Sequence, residues 1–295
     1  MLNRTFLLTG FVAGMALASP SLASAADRPD FVPAIRDSGS TVPFDLLKGY
    51  GIVVRGSAGT LKDLNLFLDT GTIHSTFDSR IASKLNLSDE VPAGLATLGG
   101  HVQAESAILP SLEFGPVRLS SLRIFTADLT SFHRVLGVPI DAIIGLDVLG
   151  QSPFVIDYGA RVIRFGTFPA LPNSLPLRLD QGLAVFDAEI DRKPVHLLLD
   201  TGASSFVLFK TESQSGSGAN STDGRLLAST GPSENGQVRL RALQVGPAQF
   251  RQELVRLAPN PKPSRIDSDG LMSPAALGIS QLSVNLPEGV LGFSR

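Results

Sequence analysis

The chain contains one pattern twice. Leu64–Gly71 reads LNLFLDTG and Val195–Gly202 reads VHLLLDTG, 131 positions apart. The same offset relates Leu112-Glu113-Phe114-Gly115-Pro116 to Leu243-Gln244-Val245-Gly246-Pro247. An offset of 128 relates Asp141-Ala142-Ile143-Ile144-Gly145 to Asp269-Gly270-Leu271-Met272-Ser273, and Val155–Phe165 to Ser283–Phe293. Four blocks in one order, with a single three-residue length change, predict two copies of one structural unit.

Within each copy the segments are short, rich in Val, Leu and Phe, and bounded by Gly, Pro or Asp. Gly51–Val54, Leu64–Leu68, Arg118–Phe125, Phe154–Asp157, Val162–Phe165, Val185–Ile190 and Val195–Leu199 read as strands. Helix signals are few. Asp78 caps a short helix reaching Leu85, and single helical turns are expected at 147–150 and 273–278. The fold class is therefore all-β. The expected organisation is a leader at 1–25, an N-terminal lobe at 26–166, a linker at 167–179 and a C-terminal lobe at 180–295. Pro169, Pro172 and Pro176 mark the linker. Residues 213–222 read as a Ser/Gly-rich surface loop. The three prolines of 258–264 argue against a central strand there.

The leader has Arg4 near its start, an apolar run over 6–18, and Ala23-Ser24-Ala25 as a small-x-small cleavage site. The run is short for a bilayer span, so the expectation is a cleaved secretory signal and a periplasmic or secreted protein. An uncleaved N-terminal anchor is the alternative. The chain has no cysteine, which removes disulfides, thiol catalysis and Cys-zinc sites. Its formal net charge is −2, with no basic patch or acidic tail, so nucleic acid is not an expected partner.

The chemistry lies at the end of the repeated apolar run. Asp69 and Asp200 each end a segment that reads as a buried strand, where an unpaired charge is costly. Each is followed by Thr and Gly. The Gly permits a tight turn and close backbone approach, and the Thr hydroxyl can brace the loop. One such tripeptide is an ordinary Asp-x-Gly turn. Two, at equivalent places in a repeat, point to a paired-carboxylate site. The four histidines, His74, His101, His133 and His196, show no metal-ligand spacing, and no Gly-x-Ser-x-Gly elbow occurs. No metal or cofactor is expected. His74, close to the first Asp, is a candidate cleft residue or a plain surface histidine. Asp141, Asp147, Asp157 and Asp269 read as turn or strand-end residues.

Leu199-Asp200-Thr201-Gly202-Ala203 and Leu68-Asp69-Thr70-Gly71-Thr72 resemble the active-site loops of aspartic proteases. Ile143-Ile144-Gly145 is similar to the family's second signature, whereas Leu271-Met272-Ser273 departs from it in placing Ser where Gly is usual. The resemblance implies a bilobal fold of two retropepsin-like β-barrel lobes related by a pseudo-two-fold, paired within one chain. It implies catalytic Asp69 and Asp200, loop support from Thr70, Gly71, Thr72, Thr201, Gly202 and Ala203, and the two Thr hydroxyls crossing between lobes. A flap is implied near Gly99 and Gly100, with a counterpart near 229–231, and no flap tyrosine stands in either segment. The function implied is an exported, monomeric aspartic endopeptidase acting on peptide or protein substrates. Two rivals remain: a non-catalytic peptide-binding or regulatory protein of the same fold, motivated by Ser273, and an envelope-associated structural protein.

Overall fold

The strands form where side chains alternate between an apolar interior and water. Val117–Ala127 shows the principle: Val117, Leu119, Leu122 and Ile124 are buried, while Arg118, Ser120 and Arg123 are exposed. In the computed structural model of the chain, the residues described are 40–87, 91–97, 100–210, 236–259 and 268–295. The leader, the Ser/Gly-rich loop and 229–231 lie outside them.

Three sheets result. The first, eight-stranded, belongs to the N-terminal repeat and the second, nine-stranded, to the C-terminal repeat. The third has six strands and is shared. It holds Phe154–Asp157 and Val162–Phe165 from the first repeat beside Gln281–Asn285 and Val290–Ser294 from the second. Phe154 pairs with Val284 and Asp157 with Gln281 across the join. One continuous buried apolar cluster runs through both repeats and this shared sheet.

The repeat seen in sequence is a repeat of hydrogen bonds. Leu61–Leu68 pairs in parallel with Ala142–Ile144, and Lys193–Leu199 pairs in parallel with Gly270–Met272. Asp141 Oδ2 accepts the Asn65 N–H at 2.9 Å, and Asp269 Oδ2 accepts the His196 N–H at 2.8 Å. The carbonyls of Asp141 and Asp269 accept the N–H groups of Asp78 and Phe209 respectively. Both Asp residues thus close the strand ends at equivalent points.

Asp78 accepts from the Arg80 N–H and caps the helix Ser79–Leu85, as the sequence indicates. A helical turn at Leu146–Leu149 is present. Its counterpart after Ser273 is a run of turns instead. The helix Thr130–Leu136, ending at left-handed Gly137, is an addition to the sequence reading.

One expectation is corrected. The proline-marked segment 167–179 is not a bare connector: Asn173–Pro176 is the edge strand of the shared sheet, paired with Val290–Ser294. Pro176 is tolerated there as the last residue of an edge strand. The strand Leu254–Pro259, between Val207–Lys210 and Gln237–Arg239, ends at the first of the three prolines of 258–264, and the rest of that segment lies outside the described residues. Pro259 is its final residue, where a missing N–H interrupts nothing further along the ladder.

Candidate active site

Each Asp-Thr-Gly loop leaves the end of a buried strand whose neighbour holds it in place. The Asp69 N–H donates to the Ile144 carbonyl and the Asp200 N–H to the Met272 carbonyl, both at 3.0 Å. The loops then meet. Thr70 Oγ1 donates to the Leu199 carbonyl at 2.9 Å and accepts the Thr201 N–H at 3.1 Å. Reciprocally, Thr201 Oγ1 donates to the Leu68 carbonyl at 3.2 Å and accepts the Thr70 N–H at 3.1 Å. Four buried cross-lobe hydrogen bonds, each worth about 1 kcal/mol net, fix the loops against one another.

The carboxyl groups follow from that grip. A Cβ placed on Gly71 would sit 2.5 Å from Asp200 Cγ, and one on Gly202 would sit 2.6 Å from Asp69 Cγ. Each glycine therefore lies against the opposite carboxyl, and nothing larger fits. Asp69 and Asp200 are both buried, each against the glycine of the opposite loop, and two carboxyls buried so close together favour one shared proton.

Their surroundings differ. The Gly71 N–H donates to Asp69 Oδ1 at 2.8 Å, and Thr72 Oγ1 lies 3.4 Å from Asp69 Oδ2. Burial raises the Asp69 pKa to about 6, with these donors holding it down. Burial raises Asp200 further, the adjacent Asp69 charge adding to the effect, while Gly202 and Ala203 N–H groups oppose it. Asp200 Oδ1 is buried and has no hydrogen-bond partner. Asp200 is thus the member that holds the proton.

The departure at Ser273 has a local cause. In the first repeat the Leu146 N–H donates to the Thr72 carbonyl at 2.9 Å. The residue equivalent to Leu146 is Pro274, which has no N–H. Ser273 Oγ donates instead to the Ala203 carbonyl, the equivalent of that of Thr72, at 2.6 Å. The hydroxyl replaces the lost donor, and the Asp200 backbone bond matches that of Asp69. We expect Ser273→Ala to cost about 1–3 kcal/mol by leaving the Ala203 carbonyl buried and unpaired. Adding Pro274→Leu, which restores a backbone donor, should recover most of it in chemical denaturation; no recovery would show that Ser273 acts otherwise.

Gly100 opens the strand Gly100–Phe114, which forms a hairpin with Val91–Thr97 in the expected flap position. Gly99 lies outside the described residues. His74 is part-exposed and stacks edge-on against Phe125 at 5.3 Å between centroids. His133 bonds the Ile140 carbonyl, and His196 lies in an exposed cluster with Asp187 and Arg178. Among the described residues, no cluster of three His, Cys, Asp or Glu side chains could hold a metal.

Two features were missed from sequence. Tyr50 and Tyr158, to which the sequence reading gives no role, are both raised in pKa by burial and by the negative charge of Asp200. The Tyr158 hydroxyl is buried without a partner. Asp147, read as a turn residue, lies part-buried beside the first loop, bonded to Ser75. No local motif marks any of the three.

The solved structure titled as the crystal structure of basic 7S globulin from soybean is similar to this chain, with a TM-score of 0.52 and 13% identity over 86% of this chain and 94% of that one. At that identity the likeness concerns the fold alone. No curated protein matches the chain. A profile of the aspartyl protease family matches residues 53–148 and again 186–281, one match per repeat, together more than half the chain. With two matched repeats, each carrying one Asp of a contacting buried pair, the chain belongs to the aspartyl protease family.

Proposed function

We propose that this protein is an exported aspartic endopeptidase whose dyad is Asp69 and Asp200. The observation that carries the reading is the buried carboxyl pair delivered by two equivalent loops, each carboxyl lying against the opposite glycine. The chemistry of such a dyad is the one described for aspartic proteases in general. Asp69, the more acidic member, takes a proton from a water as it attacks the scissile carbonyl carbon. Asp200 gives its proton to the carbonyl oxygen, forming a neutral tetrahedral diol. Asp69 then passes the proton it took to the departing amine nitrogen. As the C–N bond breaks, Asp200 recovers its proton from the diol. The export reading is carried by the leader pattern at 1–25.

Digestion of a peptide library by the purified protein, with Asp69→Ala as control, tests this. Cleavage lost in the control supports it. Peptide capture without cleavage by the intact protein would favour the binding-protein alternative.

The pH dependence offers a finer check. Thr72 Oγ1 favours the ionised form of Asp69, and the second loop has Ala203 at that place. Removing a donor to a carboxylate raises its pKa. Thr72→Ala should therefore move the acidic limb of the pH–rate profile upward by about half a unit, given the long contact. An unmoved limb would mean that Thr72 only packs.

A further inference from the structure

Beside the first loop lies a part-buried carboxyl group that the dyad chemistry leaves unused. Asp147 Oδ2 accepts the Ser75 N–H at 2.8 Å, and Asp147 Oδ1 accepts Ser75 Oγ at 2.7 Å. Ser75 Oγ in turn accepts the Gly145 N–H at 3.1 Å. The Asp147 N–H donates to the Ile73 carbonyl at 2.9 Å. Both ends of Asp147 are thus tied to residues 73–75, and Gly145 is tied to the same hydroxyl.

The carboxyl is costly to keep there. Burial raises its pKa to about 6, with the two Ser75 donors holding it down. His74 does not offset the charge: its Nδ1 is 4.0 Å from Oδ2, and burial lowers the imidazole pKa, which favours its neutral form. The second repeat does without the device. Phe206 stands where Ser75 would be and Ala275 where Asp147 would be, and there Ser273 Oγ bonds the Ala203 carbonyl instead. A part-buried carboxyl kept in one repeat only is not required by the shared fold.

We propose that Asp147, through Ser75, is a positioning residue for the Asp69 half of the dyad, holding the Thr70–Ser75 loop so that Gly71 and Thr72 present their donors to Asp69. The route is short. Ser75 is three residues from Thr72, and the Thr72 carbonyl is itself bonded to the Leu146 N–H, next to Asp147. Asp147→Asn replaces one acceptor oxygen by a donor, so the amide cannot accept both Ser75 bonds. The donors to Asp69 then lose their fixed placement, and misplacement by a fraction of an ångström is costly in catalysis. That catalytic consequence rests on the protease reading; the placement itself does not.

The test uses the full protein and two readouts, with Asp147→Asn and the milder Ser75→Ala, which keeps the backbone bond. Amide hydrogen exchange is followed at Gly71, whose N–H bonds Asp69, with Leu198 and Leu199 of the second repeat as internal references. We expect Gly71 to exchange about tenfold faster in both variants, with the references unchanged. On a substrate found by library digestion, kcat should fall about tenfold with KM within about threefold. Folded variants with unchanged Gly71 exchange would overturn the proposal, as would faster exchange with kcat intact. Faster Gly71 exchange in a protein that cleaves nothing even as wild type would sink the protease reading and leave the positioning role standing.

Discussion

Asp69→Asn and Asp200→Asn are each expected to reduce peptide hydrolysis by about 10³-fold or more while leaving the protein folded. The dyad needs one charged and one protonated oxygen in contact, and an amide supplies neither function. Steady-state cleavage of a selected peptide checks this. Near-full activity in either variant would break the single-site assignment. The Asp200 variant carries a second, thermodynamic expectation. Both folded-state pKa values are raised above the ordinary 3.8, so the native state binds more protons than the unfolded chain over that interval. The pair's contribution to stability is therefore complete below about pH 4 and declines as pH rises, the Asp69 share being lost through about 6 and the Asp200 share higher still. Asp200→Asn removes the like-charge pair. Its Tm relative to wild type should rise across pH 4–6, by on the order of 5 °C. A difference in Tm that stays flat with pH would mean that the pair is not protonated as the geometry requires.

Gly71→Ala and Gly202→Ala should be nearly as damaging to activity, and more damaging to the fold. The new methyl would sit 2.5 Å from Asp200 Cγ in one case and 2.6 Å from Asp69 Cγ in the other. The opposing carboxyl cannot retreat, because its loop is pinned by the Thr70 and Thr201 bonds. The loops must part, disturbing the cross-lobe grip as well as the dyad. We expect a loss of about 2–4 kcal/mol in stability and activity near that of the Asp variants. Gly159→Ala is the control, since its Cβ would meet only Asp157 Oδ1 at an ordinary 3.5 Å. Equal stability of Gly202→Ala and Gly159→Ala in denaturant titrations would refute the close-approach argument.

The strands that position the site were legible because a half-buried strand writes its period into the sequence. Phe154–Asp157 and Val162–Phe165 have the same bounds in sequence and in structure. The Asp78 cap was visible for a similar reason: a side-chain acceptor ahead of an apolar helical period is a local signal. The helix Thr130–Leu136 carried a weaker one, with Leu129 rather than an acceptor side chain at its N-cap.

What the sequence alone determined was the duplication, and with it the pair of Asp-Thr-Gly loops, because equivalent residues at a constant offset require no knowledge of distance. Tertiary structure decided everything that depends on which segments meet. It brought the two carboxyls into contact and gave Asp200 the higher affinity for the proton, since desolvation and a neighbouring charge exist only once both loops are buried together. It made Asn173–Pro176 an edge strand, because a strand needs a partner, here Val290–Ser294, and that partner lies more than a hundred residues away in sequence. It turned Ser273 from an anomaly into a substitute donor for the N–H that Pro274 lacks. It also set Asp147 beside Ser75: a carboxylate in a turn motif looks the same in sequence whether it faces water or, as here, two donors.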